Sequence, residues 1–291
     1  MSVAKTMSTS TLSKGIVREI YGPAYKMMYE EGLLRQLCTE MGRGVKGNLA
    51  KFEYFDPSTV IAAASLLTEA NDYTTTTALT NASVIVYASE FGVRTDITDR
   101  LRESSSFGFK EEAARQHGIG CARRLELNIL GALTTGITTG TITGTASSFT
   151  VTKYMAAKSI LDAKLLNVPG RKNAVVHPYN WYYTAASTLS TTYASVLGDL
   201  GNDVLKRFYV QTLFGDVDVY TSNYITSAVT TKTFMFVKDA VGVWIPRDFR
   251  LEAQRDASAR ADELVSTLVG GSKVRIASYG LLMQQKGTTP S

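Results

Sequence analysis

Residues 107–133, FGFKEEAARQHGIGCARRLELNILGAL, run without a proline and organise the interpretation of the rest of the chain. At about 1.5 Å per residue this stretch predicts a helix about 40 Å long. A compact chain of 291 residues has a radius of gyration of about 19 Å, so the helix would cross most of the fold. Small and apolar residues recur at steps of three or four and predict one buried stripe: Ala114, Gly118, Cys121, Leu125, Ile129 and Leu133. Glu111 and Arg115 are expected to pair on the opposite side.

Two predicted strands precede this helix. Residues 46–55 alternate between apolar and charged side chains, as a half-buried strand does, and Val84 to Phe91 predicts a strand that is apolar on both faces. Residues 56–82 lie between them and are too many for a hairpin turn, which usually has about 2–5 residues. Because this segment is apolar at its centre, we expect it to need a partner surface.

The part of the chain after the helix mixes helices and strands. The elements predicted there are helices at 152–166 and 178–189 and strands at 174–176, 217–220 and 234–237. Phe249, Leu251 and Ala253 then alternate with polar residues, and a charged turn follows at 255–260. Residues 263–285 are rich in strand formers, and Gly270-Gly271 predicts a hairpin within them. The fold class is therefore α+β, with strands from both ends of the chain around a central insert.

Composition excludes several classes of protein. Apolar residues make up 44% and charged residues 20% of the chain, which excludes a disordered polymer. The net charge of +5 is mild and lacks the basic run of a nucleic-acid-binding module. Two cysteines and two histidines lie far apart in the sequence, so we expect no metal site, no cofactor and no disulfide. The sequence shows neither a membrane-spanning run nor a secretory signal, and we expect no membrane partner.

Motifs of known catalytic chemistry are also lacking. No phosphate-binding loop, nucleophile elbow or zinc-protease motif occurs in the sequence. His117 and His177 have no predicted acidic or nucleophilic partner, so neither indicates catalysis. The aromatic residues Trp181 to Tyr183 beside His177 leave one alternative open, a cytoplasmic α+β enzyme with an unrecognised site.

The serial order of these parts resembles the major capsid (head) proteins of tailed double-stranded-DNA bacteriophages. Stretches similar to the podovirus-type major capsid protein are residues 87–101 (YASEFGVRTDITDRL), 107–133, 215–223 (GDVDVYTSN) and 255–276 (RDASARADELVSTLVGGSKVRI). Together they span roughly residues 45–285. The resemblance implies the tailed-phage major capsid fold, with an arm, an extended β-hairpin loop, a peripheral domain with a long spine helix, and an axial α/β domain.

The same resemblance implies a division of the chain. It assigns residues 1–45 to an N-terminal arm, 46–55 to a strand of the peripheral domain, 56–82 to the extended loop, 83–150 to the peripheral domain with its spine helix, 151–239 to the axial domain, and 240–291 to the closing strands of the peripheral domain. The arm and the loop would contact neighbouring copies.

The implied function is a structural one, not enzymatic. Copies of the chain would form the pentamers and hexamers of an icosahedral head around the DNA genome, assembling in the cytoplasm of the bacterial host and remaining in the virion. The implied partners are a separate scaffolding protein, a portal and a decoration protein, with weak non-specific contact to packaged DNA. A tail-tube or decoration protein is a second alternative, but such proteins are smaller or more uniformly β.

Two further expectations concern contacts between copies. Some relatives join a lysine of the extended loop covalently to a neighbour, whereas here no lysine occurs between Lys51 and Lys110, so we expect a non-covalent shell. The charged residues expected to meet between subunits are arginines of the helix and the closing turn with acidic residues of the loop: Arg123, Arg124, Arg255, Arg260, Glu69 and Asp72.

Overall fold

The computed structural model describes a large part of the chain. The described residues are 24–28, 32–41, 47, 49–55, 81–104, 108–138, 142–143, 151–165, 170–189, 212–213, 216–228 and 231–290. The helices are α1 (Leu33–Gln36), α2 (Asp99–Ser104), α3 (Phe109–Gly136), α4 (Val151–Leu165) and α5 (Pro178–Leu189). The strands are β1 (Thr39–Met41), β2 (Leu49–Phe55), β3 (Asn81–Tyr87), β4 (Ser89–Thr98), β5 (Ile142–Thr143), β6 (Lys172–Val176), β7 (Thr212–Leu213), β8 (Val217–Thr221), β9 (Thr231–Val237), β10 (Val241–Asp256), β11 (Ala261–Val274) and β12 (Gly280–Gln285).

A four-stranded sheet supports α3. Its order is β1-β10-β11-β4, with β11 antiparallel to both of its neighbours and the short β1 parallel to β10. The predicted stripe of α3 is confirmed, because all six of its residues are buried. Gly270 of β11 lets the helix lie close, since a Cβ at that position would be 3.3 Å from Cδ1 of Leu125. The helix and the sheet thus share one apolar layer.

A second sheet of six strands has the order β5-β12-β9-β6-β8-β7. Its centre is apolar on both faces, and every residue of β6 is buried. A buried polar network joins α4 to this sheet: Gln285 Nε2 donates to Tyr154 Oη at 3.2 Å and to Thr233 Oγ1 at 3.0 Å. One continuous hydrophobic cluster runs through both sheets and their helices.

The third unit is a two-stranded antiparallel sheet of β2 and β3, which we call the β2–β3 ribbon. Its register places Leu49 opposite Tyr87 and Phe52 opposite Val84. One face packs on Trp244 of β10 through a small separate core of Ala50, Phe52 and Val86. Residues 56–80, which would form the extended loop, lie outside the described residues.

Several predicted elements are confirmed. Helix α5 has the predicted bounds, α3 and α4 differ from theirs by one to three residues, and the alternation of Phe249, Leu251 and Ala253 lies in β10. The expected ion pair on α3 is shifted by one residue, because Arg115 pairs with Glu112 at 2.8 Å and not with Glu111. A three-residue step suffices since both i,i+3 and i,i+4 positions are neighbours on a helix.

The predicted hairpin at Gly270-Gly271 is wrong. Both glycines lie inside β11, which continues to Val274, and the turn that joins β10 to β11 lies at residues 257–260. The glycine at 271 serves a close approach, because a Cβ there would be 2.0 Å from the carbonyl oxygen of Tyr87. Arg260 completes the actual turn with a φ of 48°.

The assignment of residues 240–291 to one closing sheet also needs correction. Strands β10 and β11 belong to the four-stranded sheet, as expected, but β12 pairs antiparallel with β9 in the six-stranded sheet. The chain crosses between the sheets through the 3-10 helix Ala277–Tyr279. Leu281 and Met283 of β12 are thereby buried in the centre of the second sheet.

Candidate assembly surfaces

The outward face of α3 carries two of the arginines expected at contacts. Arg123 and Arg124 are exposed, and their guanidinium carbons lie over aromatic rings of the same chain. Arg123 Cζ is 5.8 Å from the ring centroid of Tyr224, and Arg124 Cζ is 5.7 Å from that of Phe91. Cation–π contacts at exposed sites are worth about 0.5–1 kcal/mol each. They stabilise both side chains against the surface of their own protomer.

A cluster of charges closes the end of the four-stranded sheet, and we call it the charged tip: Asp99, Lys110, Arg255, Arg260 and Asp262. Arg255 Nη1 donates to Asp99 Oδ1 at 2.6 Å and to Asp262 Oδ1 at 3.3 Å. Lys110 Nζ lies 2.6 Å from Asp262 Oδ2. These carboxylates raise the pKa of Arg255 above its ordinary value, the hydrogen bond to Asp99 contributing most. The backbone N–H of Asp99 also donates to the Arg260 carbonyl at 2.9 Å.

The predicted contact residues therefore occupy different surroundings. Arg255 has acidic partners in its own chain, and Arg260 is exposed beside it on the turn. Glu69 and Asp72 lie outside the described residues. Arg123 lies on α3, 13 residues beyond Lys110, the residue of this helix that belongs to the charged tip, and a helix rises about 20 Å over that interval. The structure therefore does not bring the four arginines into one patch. That these residues meet acidic partners on another copy stays a prediction.

The outer face of the β2–β3 ribbon is apolar at one end. Leu49 is 49% exposed and the residue opposite it, Tyr87, is 66% exposed. Ile85 is 37% exposed and lies opposite Lys51. These three residues, Leu49, Ile85 and Tyr87, form what we call the ribbon patch. Since the inner face is also apolar, the ribbon presents hydrophobic side chains in both directions.

Helix α4 carries a second exposed apolar surface. Met155 and Ile160 are exposed large hydrophobic residues, and Ala156, Ser159 and Ala163 are exposed with them. The spacing of these positions places them along one side of the helix. The opposite side is buried through Tyr154, Ala157 and Leu161. Such an apolar outer face is typical of a surface that another molecule covers.

Catalytic or metal-binding geometry was not found among the described residues. No group of three or more potential metal ligands occurs in that part of the chain. His117 Nε2 is 2.8 Å from Thr95 Oγ1, and burial lowers the pKa of this histidine. His177 Nδ1 accepts the N–H of Tyr179 at 3.1 Å, and burial lowers its pKa as well. Nδ1 of His117 is buried and has no hydrogen-bond partner among the described residues, so the pair of His117 and Thr95 lacks the third group that orients the base in a catalytic triad. Each histidine thus has a structural hydrogen bond.

One groove lies between α3 and β9 and has a volume of about 380 Å³. Leu127, Leu130 and Phe234 line it together with a single lysine, Lys232. It lacks the pairs of acidic and basic groups that an enzyme of the alternative hypothesis would need. Among the helices that the structure describes, none combines the length and hydropathy required to span a membrane.

Sequence reasoning missed the residues of the ribbon patch and the apolar side of α4. The signal was present in the predicted strand from Val84 to Phe91, which is apolar on both faces, but the sequence did not show which face the protomer covers. The burial pattern shows that one face is covered.

Comparisons with known proteins agree on the fold. A family model described as phage capsid protein matches residues 76–275. No curated protein gave a significant match. A solved structure from Mycobacterium phage Che8 has a TM-score of 0.67 at 19% identity, covering 88% of this chain and 92% of the other. The capsid structure of cyanophage P-SCSP1u has a TM-score of 0.64 at 15% identity, covering 88% and 89%. The virus-like particle from Pyrococcus furiosus has a TM-score of 0.59 at 9% identity, covering 91% and 98%.

Proposed function

The chain belongs to the phage capsid protein family, and from this premise we propose that neighbouring copies bury its exposed apolar surfaces in the shell of the phage head. It is a structural protein of the virion capsid, not an enzyme. Copies associate as the pentamers and hexamers of an icosahedral head that encloses the DNA genome. Rings of one kind of chain use head-to-tail contacts that close by rotation.

The ribbon patch is the observation that carries this proposal. Three large apolar side chains on a two-stranded sheet remain open to solvent while the other face of the same sheet is buried. A two-stranded sheet is marginal by itself and needs packing for stability. Permanent interfaces are more hydrophobic than transient ones and bury about 2,000–5,000 Å². The ribbon patch and the apolar side of α4 supply hydrophobic area in two separate places on the protomer.

The proposed roles of the parts follow their positions in the fold. Residues 1–45 form the arm, 56–82 the extended loop that lies over an adjacent copy, and 151–239 the axial domain that points to the five- or six-fold axis. The ribbon is the base of the extended loop, which supports its contact with another copy. Among the described parts of the arm, Ala24 and α1 lie against α3 and residues 39–41 pair with β10 of the same protomer, so we assign the contact with a neighbour to the rest of the arm.

The proposed partners beyond other copies are a separate scaffolding protein, a portal and a decoration protein. Contact with packaged DNA is weak, because a net charge of +5 neutralises few phosphates. The chain is of the podovirus type, a finer assignment that is supported by the serial similarity of residues 87–101, 107–133 and 255–276.

The shell is held without covalent links between chains. The interval between Lys51 and Lys110 holds no lysine, so the extended loop has no amine to form an isopeptide bond. Boiling assembled particles in detergent is expected to release single chains on a gel. A ladder of covalent oligomers would contradict the proposal.

Electron microscopy of the purified chain tests the function itself. The wild-type protein is expected to form capsomers or shells, and the variant carrying Leu49→Ser and Tyr87→Ser is expected to remain unassembled with an unchanged circular dichroism spectrum. Ser83→Ala is the matched control, because it lies exposed on the same face of β3 and removes no apolar surface. Normal particle yield from the double variant would contradict the proposed use of the ribbon patch.

A further inference from the structure

Glu126 of α3 has a buried carboxyl group that accepts a hydrogen bond from α1. Glu126 is 1% exposed to solvent. Oε1 accepts the backbone N–H of Leu34 at 2.7 Å, and the N–H of Arg35 contributes a second hydrogen bond to the carboxyl group. Oε2 is buried and has no hydrogen-bond partner among the described residues. One oxygen of this carboxyl group thus holds α1, and the other is unsatisfied.

The segment that Glu126 holds is fixed at two other places. Before α1, the backbone of Ala24 lies against α3, because a Cβ at Gly118 would be 2.2 Å from the Ala24 carbonyl oxygen. After α1, β1 pairs in parallel with residues 242–244 of β10. Glu126 is the one side chain of α3 for which a hydrogen bond to α1 was found among the described residues. It therefore sets the position of α1 between these two attachments.

The charged and titratable groups around this site do not neutralise Glu126 directly. From the segment itself come Arg35, Glu40 and Cys38, and Arg35 Nη2 is committed to Glu40 Oε1 at 2.8 Å. From the neighbouring 3-10 helix comes Lys238, which lowers the pKa of Cys38, whereas burial and the Glu126 charge raise it. The groups that stabilise the ionised form of Glu126 are backbone N–H groups. They compensate only part of the cost of burying a charge.

We propose that Glu126 is a proton-dependent positioning residue for the arm: protonated, it keeps residues 32–41 attached to the protomer, and ionised, it favours their release into water. The neutral carboxyl still accepts an N–H through its carbonyl oxygen, whereas the ionised group carries an unsatisfied buried charge that is solvated when the segment moves away. The consequence for shell assembly rests on the proposed function, and the positioning of the segment does not.

The direction in which the pKa of Glu126 is shifted supports the proposal. Burial raises the pKa of Glu126 from 4.5 to about 7, and the hydrogen bonds from Leu34 and Arg35 lower it by less. The attached state therefore binds the proton more tightly than the released state, in which the group is solvated. Release becomes more favourable as the pH rises from 4.5 toward 7, and this gain levels off above that value.

Thiol labelling of the unassembled wild-type chain measures the release. Cys38 and Cys121 are both buried free cysteines, and Cys38 lies in the released segment while Cys121 lies under the sheet. A disulfide-exchange reagent is applied at pH 6 and pH 8, each rate is divided by that of the denatured chain at the same pH, and mass spectrometry separates the two sites. The normalised rate at Cys38 is expected to rise about tenfold between pH 6 and pH 8, from the shift in the pKa of Glu126. The rate at Cys121 is expected to change less than about twofold.

Two variants separate this role from a merely structural one. Glu126→Gln keeps an acceptor for Leu34 but cannot ionise, so its Cys38 rate is expected to be independent of pH. Glu112→Gln is the matched control on the exposed side of α3, where the pKa of Glu112 is lowered to about 2 by Arg115, and it should retain the wild-type dependence. A Cys38 rate that is flat in the wild type, or that rises equally in Glu126→Gln, would overturn the proposal. Because the protomers are unassembled, neither result bears on whether the chain builds shells.

Discussion

The four-stranded sheet and the β2–β3 ribbon are built from similarly alternating strands, yet they differ in what covers them. In β10, Phe249 and Leu251 are buried, while the alternate residues Arg250 and Glu252 are exposed and charged. In the ribbon, the inner face is buried on Trp244, and the outer face has Leu49, Ile85 and Tyr87 exposed at one end beside the ion pair of Lys51 and Glu53. Among the described residues, the sheet is therefore covered within one protomer, whereas the ribbon patch is not. Apolar residues on the second face of an exposed strand indicate that the missing cover comes from another chain.

The difference can be expressed as free energy. Burying a large apolar side chain stabilises a protein by about 1.5–3 kcal/mol relative to leaving it exposed. In the sheet this contribution is made when the protomer folds. Under the proposed function, the ribbon patch makes this contribution when copies associate, once for every copy in the shell.

Truncation of the core under the sheet is expected to have the largest effect on the protomer. Ile129 of α3 is fully buried, so Ile129→Ala removes packed methyl groups and leaves a cavity. We expect the free energy of unfolding to fall by about 2–5 kcal/mol. Urea denaturation followed by circular dichroism measures it, and a loss below about 1 kcal/mol would mean that α3 does not share a tight core with the sheet.

The next largest effect on the free energy of unfolding is expected where the ribbon crosses β11. Gly271→Ala places a Cβ 2.0 Å from the Tyr87 carbonyl oxygen, and backbone cannot yield as a side chain can. We expect a loss of about 1–3 kcal/mol in the free energy of unfolding, measured by thermal denaturation. Gly131→Ala is the control, because a Cβ there meets no atom within 4 Å. It is expected to stabilise α3 by up to about 1 kcal/mol. Equal melting temperatures for the two variants would refute the close crossing.

The attachment of the arm to α3 makes stability depend on pH. The pKa of Glu126 is about 7 in the folded chain against 4.5 when solvated, so the folded state holds more protons between these values. Its contribution is greatest below pH 4.5 and is lost as the pH rises through about 7. This group alone is expected to lower the free energy of unfolding by about 1 kcal/mol between pH 6 and pH 8. Paired urea titrations of wild type and Glu126→Gln isolate that contribution, and parallel pH profiles would contradict it.

A substitution in the ribbon patch is expected to have the smallest effect on the stability of the protomer and a large effect on assembly. Tyr87→Ser exchanges an exposed side chain, so the free energy of unfolding should change by less than about 0.5 kcal/mol. Particle yield should fall sharply in the same preparation. A protomer destabilised as much as by Ile129→Ala would show that Tyr87 is packed within its own chain, and the contrast between sheet and ribbon would disappear.

Local signals in the sequence predicted the helices well. The buried stripe of α3 and the aromatic run of α5 are patterns formed by residues three or four positions apart. The sequence alone therefore predicted both helices. Gly270-Gly271 was misinterpreted because a glycine pair usually marks a turn, whereas here the glycine at 271 admits the backbone of Tyr87, which is distant in sequence. The sheet membership of β12 likewise depends on its pairing with β9 across the crossover at residues 277–279.

The contact residues were harder to predict for the same reason. That Arg255 meets acidic residues of another copy stays a prediction, and its hydrogen bond to Asp99 of its own chain, 156 positions away, could not be predicted from the sequence. A charged side chain in a sequence does not reveal which carboxylate is nearest. Exposed apolar residues are more informative, because water offers Leu49 and Tyr87 no favourable partner whereas it solvates an arginine at little cost.

Cryo-electron microscopy of assembled particles, at a resolution that shows side chains, tests the central claim most directly. We expect Leu49, Ile85 and Tyr87 to lie in contact with side chains of an adjacent copy and to lose nearly all of their solvent exposure. A shell in which these three side chains still face bulk water on every copy would contradict the account.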